Sequence, residues 1–465
     1  MDLTSSIVAL GAAGVGGEDF WMSFHWNPSG DIVRFQRVMT NDDGDVFIAG
    51  EGEQADGLSL PNNHKPAVHK LDGTDGSALW YRFISQQRTY ANSYYFDVSP
   101  TSQGDVILTG TRPYVGSGQD QGNGGAVVTK YNSSGSNQWI RYSPATGSST
   151  SYSLYSCCRA PSTGTTYAVG VGHNLRAGAL LEQWQSNGNL GFAYLYRSTA
   201  GNITVAPNNN SKCVALGNTD NYIYIACKYN NHAAVLQIQS NYTFKNNTWL
   251  DSPSGELGPK GLALDSDDNQ YVVTGNEPGK FFLFKITRSN QQIAWQKNID
   301  NAADQYYMGS VAVSGDKVYV AAAKQFTGDP GKSLVVTAFN TSDGSFYKAC
   351  KIKLTHSNGN PDIRPFDIHA TDTAIYVTGF TRTSGNGWGG GVYKLPPDFS
   401  GTGTYNATNI GNIEYSTWTP TISTSSQSEN SSSTGIERVT MSHNDQSSSY
   451  TAYNVSFTSS QVEIS

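Results

Sequence analysis

The chain has 465 residues, of which 37% are hydrophobic and only 14% charged, with 30 basic side chains against 37 acidic ones and a net charge of −7. The apolar share suffices for a folded core, while a charged share well under the usual ~25% describes a neutral, hydroxyl-rich surface. The chain has no Lys/Arg block and no apolar run that approaches ~18 residues, which excludes a direct nucleic-acid-binding face and a membrane-spanning helix.

Residues 1–19 read as an N-terminal extension of a mature chain, because their short apolar run lacks the positive flank of an export signal. Residues 20–26 (FWMSFHW), the turn Asn27-Pro28-Ser29-Gly30 and residues 31–38 (DIVRFQRV) have the pattern of the last two strands of a four-stranded unit whose first two are missing. Complete units follow. One contains GDVFIAG at 44–50 and PAVHKLDGTDGSALWYRF at 66–83; the next contains GDVILTG at 104–110 and GAVVTKYNSSGSNQWIRY at 125–142. Each has β-branched inner strands ending on Gly, a third strand, a turn of Asn, Asp, Ser and Gly that accepts positive φ, and an outer strand carrying one large aromatic.

Further units are read at 166–196, at 222–249, at 261–297 with QYVVTG and FFLFKITRSNQQIAWQK, and at 310–351, where Phe346 stands in the tryptophan's place. The last is read at 366–395 with an outer strand near 413–418. Residues 419–434 (TPTISTSSQSENSSST) cannot supply a core and read as linker or surface loop. Strand character returns at 435–465, in two strands without partners. The expectation is an all-β propeller of four-stranded blades over residues 20–418. Eight blades are favoured, with seven as the alternative, and both termini close the ring by completing the first blade.

The recurring aromatics Trp80, Trp139, Trp249 and Trp295 are expected to fill the wedge between blades, and Gly50, Gly110, Gly275 and Gly379 to permit close approach or a tight turn. The acidic clusters 42–45 and 265–269 resemble calcium loops in composition but fail the spacing, so calcium stays a secondary possibility and no cofactor is expected. The histidines show no zinc spacing, and His25 and His69 read as buried imidazoles on third strands. No nucleophile motif or phosphate loop is present, and no catalytic residue is assigned. Cys157-Cys158 is either a vicinal disulfide or two free thiols on opposite sides of a strand, the second being favoured. Trp388, within Gly-Asn-Gly-Trp-Gly-Gly, is the candidate for surface recognition, in one of three longer loops (51–65, 114–125 and 381–389).

The units built on DGTDGSALWYR, NSSGSNQWIRY and GDVxxxG resemble the PQQ-like and bacterial β-propeller repeat superfamily. More narrowly, EDFWMSFHWNPSGDIVRFQRV together with NSSGSNQW resembles propeller-bearing structural proteins of marine tailed bacteriophages, including those of cyanobacterial hosts. That resemblance implies a non-enzymatic virion component, tail or fibre-associated, made in the host cytoplasm. It would assemble as a homo-oligomer with other virion proteins, and the aromatic and amide groups of the longer loops add the expectation of contact with host-surface glycans. The superfamily also implies, as an alternative, a quinone-dependent oxidoreductase with Cys157-Cys158 against the cofactor. A second alternative is a cellular surface or scaffold propeller.

Overall fold

The computed structural model describes residues 4–7, 20–25, 33–53, 64–84, 94–112, 125–143, 152–174, 176–198, 203–205, 212–218, 222–230, 232–250, 258–275, 281–299, 305–329, 331–355, 361–383, 387–407, 411–424, 429–431, 436–440, 446–447, 452–454 and 458–461. These form seven sheets, antiparallel in all but one strand pair. Blade 1 is Val33–Thr40, Val46–Glu53, His64–Leu71 and Ala78–Ile84, and blade 2 is Tyr94–Pro100, Val106–Arg112, Gly125–Tyr131 and Asn137–Ser143. Blade 3 is Tyr152–Arg159, Thr166–Asn174, Arg176–Trp184 and Leu190–Ser198. In blade 4 the first strand is in two pieces, Ile203–Val205 and Val214–Leu216, before Tyr222–Tyr229, His232–Gln239 and Phe244–Leu250. Blade 5 is Gly258–Leu264, Gln270–Gly275, Phe281–Ile286 and Ile293–Ile299, and blade 6 is Gln305–Ser314, Lys317–Gln325, Lys332–Asn340 and Phe346–Thr355. Blade 7 takes Asp362–Ala370, Ile375–Thr383 and Gly387–Leu395, and its fourth strand is Trp21–His25.

The expected eight blades are therefore seven. The miscount arises at 20–38, where two strands adjacent in sequence look like one hairpin. Trp21–His25 pairs with Gly387–Leu395, while Val33–Thr40 is the first strand of blade 1, so the turn between them is a step from one sheet to the next. Closure thus rests on the N-terminal strand, all five residues of which are buried. Residues 435–465 do not complete the first blade as expected, and the strand expected to finish the last unit near 413–418 belongs to blade 6.

The C-terminal segment instead runs back around the rim and adds one more strand to each sheet. Gly411–Thr417 pairs with the fourth strand of blade 6, Ile422–Thr424 with blade 5, Glu429–Ser431 with blade 4 and Ile436–Thr440 with blade 3. Gln446–Ser447 and Ala452–Asn454 continue to blades 2 and 1. All of these pairings are antiparallel. Thr458–Gln461 ends at blade 7, parallel to Thr4–Ile7, which itself lies outside Trp21–His25. The stretch 419–434, read as a linker, is in this way part of two blades. Edge strands expose unpaired backbone groups, and the belt covers those edges with short polar strands.

Between blades the joint repeats. The indole Nε1–H of Trp21 donates to Gly73 O (3.1 Å), that of Trp80 to Ser133 O (2.9 Å), that of Trp139 to Ser186 O (3.3 Å) and that of Trp295 to Thr341 O (3.1 Å), each acceptor lying in a turn of the next blade. A positive-φ glycine of that turn lies under the ring. At Gly135 (φ 75°) a Cβ would come within 2.7 Å of Trp80, and Gly76, Gly188 and Gly344 repeat the arrangement on Trp21, Trp139 and Trp295. We expect Gly135→Ala to lower stability by about 1–3 kcal/mol through left-handed strain and displacement of the indole. A denaturant midpoint within error of wild type would contradict this joint.

Trp249 and Phe346 do not take that place. Across from the third strand, the position of Trp80 is occupied by Asn246 in blade 4 and Lys348 in blade 6. Trp249 lies further along its strand, stacked on Tyr229 at 4.6 Å, while Phe346 is 39% exposed. Gly50 and Gly379 meet a different need: a Cβ on either would lie 2.1 Å from a carbonyl of the bulged first strand beside it. Gly110 stands in the same register, opposite Tyr95 before a bulge, and Gly275 pairs with Gly258.

Candidate functional site

Bulges recur in the first strands of blades 1, 2, 3, 5, 6 and 7, and they turn polar side chains toward neighbouring blades around the axis. The resulting contacts run from blade to blade. Ser310 Oγ of blade 6 donates to Asp367 Oδ1 of blade 7 (2.8 Å), and Asp367 Oδ2 accepts the Val38 amide of blade 1 (3.2 Å). Arg37 of blade 1 faces Asp97 of blade 2, Nε to Oδ1 at 3.8 Å with both side chains wholly buried. Asp97 Oδ2 accepts Ser156 Oγ–H and the Cys157 amide of blade 3, both at 2.7 Å. Ser156 Oγ in turn accepts the amides of Cys213 (3.2 Å) and Val214 (3.3 Å), which lead into blade 4. Lys212 forms a bridge to Gly261 of blade 5, where a Cβ would lie 2.9 Å from the Val311 amide of blade 6.

Above this ring the first strands open into a cavity of about 440 Å3. Its walls mix apolar side chains, among them Leu216, Leu262, Leu264, Val313 and Ile368, with polar ones that include Lys212, Arg159, Asp42, Asn218 and His369. Lys212 is half-buried; its Nζ lies 3.6 Å from Met39 Sδ, and no described carboxylate forms an ion pair with it. His369 Nε2 is 2.9 Å from Thr40 Oγ1, and burial first, then the Lys212 charge, lowers its pKa to about 3. Burial raises the Asp367 carboxyl above the ordinary carboxylate value against the opposing charges of Arg37 and Lys212.

Cys157 and Cys158 are free thiols at the cavity wall. Cys157 packs among the residues between blades 2 and 3, and Cys158 on the opposite side against the larger core of blades 3 to 5. Burial, with Asp97 beside it, pushes the Cys157 thiol well above its usual range, which makes it inert rather than nucleophilic.

The two acidic clusters sit in turns between first and second strands. In one, Asp45 pairs with Lys70 (2.6 Å). In the other, Asp265 accepts the amides of Asp267 (3.0 Å) and Asn269 (2.9 Å) and the Tyr271 hydroxyl (3.0 Å), and Asp268 accepts the Asn218 amide (2.7 Å). Asp45, Asp265 and Asp268 of these clusters are thus engaged by protein donors. His69 is on a third strand as expected, but His25 ends the fourth strand of blade 7; their rings meet edge-on at 5.3 Å in the seam between blades 7 and 1. The side chain of Trp388 lies outside the described residues, as do 54–63, 113–124 and 384–386 of the three longer loops. Sequence reasoning missed Lys212, Asp97 and Asp367. The one available signal was the interruption of the repeat between the third and fourth units.

No protein-family model matches the chain, and neither does any curated protein. Among solved structures it is similar to a periplasmic gluconolactonase of Pseudomonas aeruginosa (14% identity, 76% of this chain and 93% of that one, TM-score 0.45). It is also similar to a protein of unknown function from Dyadobacter fermentans (9% identity, 85% and 98%, TM-score 0.43) and to the Dos1 propeller (9% identity, 78% and 93%, TM-score 0.38). Among the described residues no helix is long and apolar enough to cross a membrane.

Proposed function

We propose that this protein is a non-enzymatic rigid platform, a propeller whose task is to hold binding surfaces in fixed relation. The observation that carries the reading is the use made of the axial acids. A dehydrogenase on such a ring needs carboxylates that converge on a substrate, yet Asp97 and Asp367 take their hydrogen bonds from the next blade and tie the ring together. The joints at the rim serve the same stiffness, and the strand ends away from the tight turns carry the longer loops, where a rigid scaffold can vary its contacts.

The finer setting is a tail or fibre-associated place in a virion, as a homo-oligomer among other virion proteins with host-surface glycans as the target. It rests on the resemblance of the repeats and on the neutral Ser, Thr, Asn and Gly surface. Native mass spectrometry with an absorbance spectrum, before and after addition of calcium and pyrroloquinoline quinone, tests the reading. The expected result is an oligomer of defined copy number, unchanged by either. A monomer that gains one quinone mass and its absorption would overturn it, and a host-glycan array at background would remove the glycan target.

A further inference from the structure

We propose that the axial cavity binds a small organic anion, a monocarboxylate carried on an apolar body, with Lys212 as the group that receives its charge. This goes beyond the platform reading and does not depend on it.

The first support is the placement of the lysine. Only in blade 4 is the first strand in two pieces among the described residues, and Lys212 lies two residues before the second piece, Val214–Leu216. The other blades carry their first strand through without interruption. Where a repeat is broken at one place, and the break delivers a cation to the axis, packing alone does not account for the residue.

The second support is what the ammonium touches. It donates to the Met39 thioether, a weak acceptor, so an ammonium with three donors has donor capacity left at a half-buried site on the cavity wall. Arg37, Asp97 and Asp367 lie beneath the cavity in the inter-blade ring, and Arg159 at the wall donates to Gly164 O (3.3 Å). Asp42 is the carboxylate at the wall. With the Arg159 guanidinium also at the wall, two cations face one carboxylate, a net charge of about +1 that suits a single negative charge and falls short of a phosphate dianion.

The third support is shape. About 440 Å3 is within the range of small-molecule sites, and Leu216, Leu262, Leu264 and Ile368 offer apolar contact to the body of the ligand. The turn-side position places this site at the opposite end of the blades from the longer loops, so its occupancy and any surface recognition are separable.

The test uses the full chain with benzoate as probe, benzamide as its neutral isostere and inorganic phosphate as the inorganic anion, read by calorimetry and saturation-transfer NMR. Benzoate should bind, with benzamide and phosphate at least about tenfold weaker. Lys212→Gln should weaken benzoate at least about tenfold, equivalent to about 1.4 kcal/mol, and leave benzamide unchanged. Leu264→Trp, which fills the cavity from another wall, should abolish benzoate binding without removing the cation, so the site remains testable if the lysine variant folds poorly. Equal binding of benzoate and benzamide, preference for phosphate, no benzoate binding at about 10 mM, or full affinity in Lys212→Gln would each overturn the assignment.

Discussion

Thermal stability should fall as pH is lowered from about 6.5 to 5, by about 4 kcal/mol, with Tm lower by about 4 °C for a chain of this length. The cause is the pair His25 and His69, each 3% exposed, packed with Phe35 and Tyr81 in the seam that closes the ring. Burial lowers the His25 pKa from 6.5 to about 3, and burial followed by the His25 charge lowers His69 well below 6.5. Both folded values lie below the unfolded one, so the unfolded chain takes up the extra protons. The stability is complete above about pH 6.5 and is lost as the pH falls toward the folded values. At pH 5 each imidazole accounts for about 2 kcal/mol. His369 at the cavity wall, also lowered to about 3, adds to the loss in the same window, while Asp329 and Asp362, lowered from 3.8, act only in stronger acid. Calorimetry at pH 7 and 5 checks this. A Tm that does not move, or that moves equally in His25→Gln/His69→Gln, would show that the seam does not titrate.

Asp97→Ala should cost about 3–5 kcal/mol, the range for breaking a buried charge pair from one side. The substitution removes the acceptor for Ser156, Cys157 and the Val98 amide, and takes the carboxylate from the wholly buried Arg37 guanidinium. Asp97→Asn keeps the shape and one acceptor oxygen and should lose roughly half as much. Urea midpoints measure the loss. The rate at which Ellman's reagent labels Cys157 should rise with it, because the Cys157 amide is held by the same oxygen. A midpoint within about 1 kcal/mol of wild type would mean that the axial contacts do not fasten the ring.

Much of the blade interior was legible because it obeys local rules. GDVFIAG and GDVILTG are β-branched inner strands, and the turns at 72–76 and 132–136 close as Asn, Asp and Gly chemistry requires, with Asn132 Oδ1 accepting the Ser136 amide (2.8 Å). The recurrence of Trp80, Trp139 and Trp295 on outer strands was legible too, whereas Trp249 sits elsewhere on its strand. Grouping strands into sheets did not, since 21–25 finds its partner at 387–395, across nearly the whole chain. The belt was illegible for another reason. Strands such as Ile422–Thr424 and Glu429–Ser431 join through backbone pairing at a rim and need no alternating apolar pattern, so Ser/Thr-rich sequence reads as loop. The axial site depends on bulges and on one insertion, and a lysine at residue 212 has no linear signature.

The N-terminal position of the closing strand sets a schedule for synthesis. Trp21–His25 leaves the ribosome before any blade exists, yet its place in blade 7 opens only once 387–395 has been made. At roughly 5–20 residues per second, an apolar WMSFH segment waits some tens of seconds without its sheet, available to chaperones and to the same segment of a neighbouring nascent chain. The belt emerges after every blade, and it can dock only on blades already standing. Until it does, the nascent ring presents its outer edges to every other copy on the same messenger.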